Sequence, residues 1–310
     1  MNPKLKENII DPLLFWLKKL VLPGFDRVPF YDVITFFFRG FKKGALVTRA
    51  SSIAFNLMLA LLPSTFFVFT LIPFIPIPNF QNELINLFEN IVPENAYLLF
   101  ESTIIDVITR KSGVFLITMF LASAIMSSNG IHALLHAFVV SDHQFETRTW
   151  VAQRRVSFSL LLIVVFLIAF SGVLLIFGRD FLQILVDKDI ITSNWLRYLI
   201  FGLKWIIIIG ILFLAISSLY YLAPSRKAKF RFFSAGATLA TILFIITSLG
   251  FSAYVNNFDN YNKLYGSMGT ILVILLWLYL NSISLLIGFE LNASIKTANI
   301  KQRSILNELD

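Results

Sequence analysis

ASSIAFNLMLALLPSTFFVFTLIPF, residues 50–74, runs for 25 residues without one charged side chain. As a helix rising about 1.5 Å per residue it covers ~37 Å, enough to cross a hydrocarbon core of roughly 30 Å. Further apolar runs follow at Gly113–Val139, Ser157–Phe177, Tyr198–Leu222, Phe232–Val255 and Met268–Asn292. The chain as a whole is 57% hydrophobic and only 14% charged, with a mean hydropathy of +0.78. A water-soluble domain of that composition would lack the polar surface to cover itself. The expected fold is therefore an all-α polytopic membrane protein with six transmembrane helices and accessory amphipathic helices at the interface. Three segments are expected: a cytoplasmic and interfacial stretch over 1–49, a membrane domain over 50–293 and a cytoplasmic tail over 294–310.

Orientation follows from the lysines and arginines, which favour cytoplasmic loops. Nine precede the first span, three lie in the second loop (Arg148, Arg154, Arg155), four in the fourth (Arg226, Lys227, Lys229, Arg231) and three in the tail. The alternate loops together hold six: Arg110, Lys111, Arg179, Lys188, Arg197 and Lys263. Both ends are thus expected in the cytoplasm, and the net charge of +8 is a consequence of topology, with attraction to anionic membrane lipid as a side effect. Nucleic acid is not an expected partner. Because the chain contains no cysteine, single cysteines report the orientation cleanly. Ser225→Cys should resist an impermeant thiol reagent in intact cells and Asn86→Cys should react; labelling of Ser225→Cys from outside reverses the assignment.

Outside the spans, Pro12–Leu22 and Pro29–Lys43 mix aromatics with lysine and arginine, the pattern of helices lying in the cytoplasmic interface. In the first outer loop, Phe80, Leu84, Leu87, Phe88 and Ile91 recur at helical spacing, and Pro93 opens a second helix rich in acids.

Two motifs carry a family resemblance. Arg49-Ala50-Ser51-Ser52-Ile53-Ala54-Phe55, leading to Leu59-Ala60-Leu61-Leu62-Pro63, resembles the first span of the YihY/BrkB family of bacterial inner-membrane proteins. Tyr265-Gly266-Ser267-Met268-Gly269, Leu276-Trp277-Leu278-Tyr279-Leu280 and Gly288-Phe289-Glu290-Leu291-Asn292-Ala293 resemble its last span. The resemblance implies a six-span fold and an inner-membrane address. Members of that family have carried the labels ribonuclease BN and virulence factor, and some are linked to export of lipopolysaccharide precursors.

Polar residues inside a span are costly and mark candidate sites. Arg49, Ser52, Asn56 and Pro63 fall within about 60° of one another at 100° per residue, one stripe on the first span. Asn129, His132 and His136 repeat the i, i+3, i+7 spacing on the second, and because the two spans run in opposite directions Arg49 matches the depth of His136. Asn281, Ser284, Gly288 and Asn292 form a third stripe on the sixth span. These stripes are expected to wall one cytoplasm-facing cavity, with Arg49, Ser52, Asn56, Asn129, His132, His136, Asn281 and Asn292 as substrate-binding residues. The bland alternative is interhelical hydrogen bonding. Glu290 lies opposite Asn281 and is expected to pair with Arg49 or a loop arginine at the interface, where screening keeps the gain modest. Pro63 is expected to weaken the first helix and make it the moving part.

Two enzymatic readings fare poorly. His132 and His136 at i, i+4 could share zinc, but the metalloprotease pattern needs Glu after the first histidine and Ala133 stands there. A metal-dependent nuclease needs clustered carboxylates, and the cytoplasmic acids are scattered. No Walker-type loop is present, and no cofactor is expected. The expected function is a transporter or flippase-like protein, not an enzyme, that accepts a lipid-related amphiphile from the cytoplasmic side. The alternative is a scaffold that recruits envelope-biogenesis proteins.

Overall fold

The computed structural model describes residues 31–35, 45–75, 111–139, 148–187, 194–224, 231–256 and 259–307, with isolated positions 20, 24, 28, 29, 37, 105, 106 and 109. Its six long helices among these are α1 (Leu46–Leu71), α2 (Gly113–Val139), α3 (Trp150–Asp187), α4 (Asn194–Leu222), α5 (Ala235–Asn256) and α6 (Asp259–Asn307). Each contains a segment long and apolar enough to cross a membrane: Leu46–Phe74 (α1 with its closing 3-10 turn), Gly113–Phe138, Trp150–Gly172, Gly202–Leu222, Ala235–Val255 and Ile271–Lys301. Large apolar side chains such as Val114, Phe166, Ile206 and Leu249 are exposed on these helices, which in a bilayer places them against lipid.

Consecutive helices pack side by side, and α6 returns to α1, so the six close into a ring. Lipid supplies no hydrophobic drive between helices, so close contact and hydrogen bonds hold such a ring together. Both occur here. Phe138 of α2 stacks on Phe289 of α6 at 4.4 Å, and Tyr220 of α4 meets both rings edge-on. The fully buried Tyr220 donates its hydroxyl proton to the Leu285 carbonyl, the partner a buried phenol requires. At one end of the bundle, Arg148 donates to the carbonyls of Leu222, Ala223 and Pro224, groups that the end of α4 leaves without helical partners.

Helices α5 and α6 cross at two glycines. A Cβ on Gly236 would lie 2.1 Å from the Gly288 carbonyl oxygen, and one on Gly288 would lie 2.5 Å from the Gly236 carbonyl oxygen. Only glycine permits this approach.

Several expectations require correction. Pro63 does not break α1, which continues unbroken from Leu46 to Leu71. Proline costs the helix a single N–H, the one that would reach the Leu59 carbonyl four residues back, and membrane helices tolerate that loss. Helix α3 begins at Trp150, ahead of the span expected at Ser157–Phe177, and α6 stays helical to Asn307, beyond the span expected at Met268–Asn292. The segment starting at Pro29 does not simply float on the interface: Val28 and Val33 are fully buried against Ile295 and Ala298 of α6. Most of Pro12–Leu22, and the outer-loop helices placed at Phe80 and Pro93, lie outside the described residues.

Candidate functional site

Thr48, Arg49, Ser52 and Asn56 of α1 and Asn129, His132, Ala133, His136 and Ala137 of α2 line one pocket of about 420 Å³. It is assembled from the first turns of α1 and the last turns of α2, which pack closely because Gly130 presents no side chain to Leu57. From Thr48 to Asn56 the pocket reaches about 12 Å along α1, roughly two-fifths of the depth of a ~30 Å hydrocarbon core. Ser52, Asn129 and His136 are exposed, so it is an open recess rather than a sealed cavity.

Behind this recess, Arg49 is only 6% exposed and Glu290 is fully buried. The Arg49 guanidinium donates to Glu290 Oε1 at 2.7 Å and to the Ala137 carbonyl at 3.0 Å, fastening α1 to α6 and α2 at once. The pairing of Arg49 with Glu290 was foreseeable, but its setting is corrected: the pair is buried, where screening is weak and losing one partner is costly.

On the other side, Arg154 of α3 donates to Asn129 Oδ1 at 2.6 Å. Loop counting treats Arg154 as a topology signal alone; the early start of α3 at Trp150 is what brings it to the pocket. Among the described residues, no group of three His, Asp or Glu side chains could hold a metal ion.

Asn281 and Asn292 do not join this pocket. Asn292 turns toward α5, accepting from the Gly236 N–H at 2.8 Å and donating to Ser234 Oγ at 2.8 Å. It acts as a cap, supplied by a neighbouring helix, for the unpaired amides at the start of α5. Asn281 binds back to the Trp277 carbonyl and accepts from Ser248, while Ser284 meets Thr247. The third stripe is thus a polar seam between α5 and α6. The reason is the neighbour: small residues at Gly236 and Ser248 bring α5 close to that face. Spacing along α6 alone does not reveal this.

A ring of six membrane-crossing helices with a polar recess cut into one end defines a polytopic α-helical membrane protein. The chain belongs to the family described as Virulence factor BrkB, whose model matches residues 37–308. It is 30% identical over 250 residues to YfkH of Bacillus subtilis (strain 168), a protein named as ribonuclease-like, covering 79% of this chain and 88% of that one. It is 26% identical over 262 residues to a UPF0761 membrane protein of Coxiella burnetii (strain RSA 493 / Nine Mile phase I), covering 82% and 90%. A UPF0761 membrane protein of Mannheimia succiniciproducens is 26% identical over 280 residues, covering 87% and 92%. No solved structure matches the chain.

Proposed function

We propose that the protein lies in the bacterial inner membrane with both ends in the cytoplasm and is a non-enzymatic transporter or flippase-like protein for a lipid-related amphiphile. The observation that supports this reading is the recess between α1 and α2. Its polar lining extends somewhat over a third of the way into the apolar span and is open at Ser52, Asn129 and His136. A bundle needing only hydrogen-bonded glue has no use for polar groups left exposed at that depth, whereas the α5–α6 seam buries Asn281, Ser284 and Asn292. An amphiphile could place its head group in the recess while its chains stay in lipid along the outer faces of α1 and α2.

The test separates passage from packing. With the protein in phosphatidylcholine vesicles carrying a fluorescent anionic lipid, Asn129→Leu is expected to lower translocation about tenfold per folded molecule, the cost of ~1.4 kcal/mol of lost polar contact. Its melting temperature in detergent should change little. Asn292→Leu, in the seam, should lower the melting temperature instead. Wild-type rates for Asn129→Leu would remove the recess from the path and favour a scaffold for envelope-building proteins.

A further inference from the structure

The packed core occupies only the end of the ring that carries the recess. On α2 the interior seam can be followed in alternating steps of three and four residues, the spacing that keeps one face toward the centre of a left-handed bundle. Phe138 and Leu135 on that seam are 0% exposed, but Leu121, Ile117 and Val114 farther along it are 52%, 59% and 79% exposed. The same seam on α4 runs from buried Tyr220 and Ile216 to exposed Ile209 and Ile206, and on α6 from buried Phe289 and Leu286 to exposed Leu272. Among the described residues, α2 has none buried from Gly113 to Ser127, and α4 has none buried from Gly202 to Gly210.

Fraying of single helices does not explain this, because lateral contacts persist. Ser64 Oγ of α1 lies 3.2 Å from both Ser123 Oγ and Ser127 Oγ of α2, and Phe67 meets Phe120 at 5.4 Å. Helix α6 likewise keeps hold of α5, Trp277 Nε1 donating to Ser248 Oγ at 3.3 Å. The two pairs stay zipped while the space between them and α4 widens away from the layer of Phe138, Tyr220 and Phe289. The result is a funnel with that aromatic layer as its floor. From Ala124 to Val114 its wall is about 15 Å tall, one leaflet of a ~30 Å hydrocarbon core.

The chemistry of the wall selects the occupant. No charged residue occurs in α2 from Gly113 to Ile131, in α4 from Trp205 to Ala223 or in α6 from Met268 to Phe289. Water gains nothing from leucine and isoleucine walls, so a hydrated funnel is unfavourable at this depth. A second protein surface would call for small residues that let backbones approach, and Leu121, Ile117 and Ile206 are bulky. Flexible hydrocarbon of one leaflet's length fits both the wall and its height.

We propose that this half of the ring is a binding site for the acyl chains of a membrane phospholipid, admitted between the splayed helices and stopped at the floor of Phe138, Tyr220 and Phe289. With both ends of the protein in the cytoplasm, the site opens to the outer leaflet. Treating the lipid as cargo rests on the transport reading; the site itself rests on the seam.

The experiment uses the full-length, cysteine-free chain carrying Leu121→Cys or Ile206→Cys, labelled with a nitroxide and reconstituted into phosphatidylcholine vesicles. Power-saturation EPR reads collisions with oxygen, which partitions into hydrocarbon, and with a water-soluble nickel chelate. Leu162→Cys supplies the reading for bulk lipid, since Leu162 is exposed and turned about 200° from buried Leu160 on α3. Both funnel labels should collide with oxygen as the Leu162 label does and stay shielded from nickel. High nickel access means a hydrated funnel and overturns the site; shielding from both reagents means that protein closes the space, from this chain or a second copy, and overturns it equally. Retention separates a bound lipid from passing solvent. Native mass spectrometry of detergent-purified protein should show phospholipid held after annular lipid is stripped. Leu121→Trp/Ile206→Trp, which fills the funnel, should lower the retained fraction about tenfold, the effect of losing roughly two buried methylenes. Leu162→Trp should leave it unchanged, and undiminished retention by the filled variant overturns the site. A retained lipid without translocation keeps the site and removes the transport reading; translocation with a funnel closed to oxygen does the reverse.

Discussion

Glu290→Ala is expected to cost about 3–5 kcal/mol of folding stability, because it strands a buried guanidinium without its counter-charge. Arg49 is 6% exposed and Glu290 0%, and their 2.7 Å contact joins the first helix of the ring to the last. Glu290→Gln keeps the shape but not the charge and should be nearly as damaging. The double variant Arg49→Met/Glu290→Leu should recover much of the loss, since an apolar pair of similar volume is often tolerated where half an ion pair is not. Denaturant or thermal unfolding in detergent of the two single variants and the double variant gives the coupling energy. Additive losses would mean that the two side chains act independently and that something else closes the ring.

The second large effect is expected at the glycine crossing. Gly236→Val and Gly288→Val should each destabilise by about 3 kcal/mol or more, at or above the top of the usual overpacking range. The atoms in the way are backbone carbonyl oxygens 2.1 and 2.5 Å from the added Cβ, which no rotamer change can move. Helix α5 would have to withdraw from α6, pulling the Gly236 amide off Asn292. Gly210→Ala makes the control: nothing lies within 4 Å of its Cβ position, and alanine is the better helix former by about 1 kcal/mol. Melting temperatures and the yield of monodisperse protein report both outcomes. A Gly288→Val protein that melts with wild type would show that the crossing is looser than these distances.

Much of the architecture was legible because its signals are local. Lengths of apolar sequence place the spans, and helical periodicity puts Arg49, Ser52 and Asn56 on one face and Asn129, His132 and His136 on another. Matching depth across two antiparallel neighbours then predicts that these faces meet, and the structure brings the six residues around one recess. The same reasoning fails at Asn281 and Asn292 because periodicity fixes a face but not which helix it meets. That choice lies in the partner's small residues, Gly236 and Ser248, whose significance appears only once α5 is docked. Arg154 was misplaced for a related reason: a boundary error of two turns at the start of α3 makes a helix residue that reaches Asn129 read as a loop residue. Burial of Glu290 is the least legible of all, since a carboxylate at a span's end looks the same in sequence whether it faces lipid head groups or an arginine.

The joint between Arg49 and Glu290 also has a consequence for biosynthesis. Its two halves are 241 residues apart in the chain, so at ~5–20 residues per second the ribosome delivers the carboxylate about 12–48 s after the guanidinium. During that interval the nascent first helix carries a cation that cannot be left bare in the hydrocarbon, and its long side chain has to reach for the membrane surface. Only when the final helix arrives can the arginine turn inward and the ring shut. A nascent product arrested before residue 290 therefore retains a guanidinium without its carboxylate partner at the start of its first membrane-crossing segment.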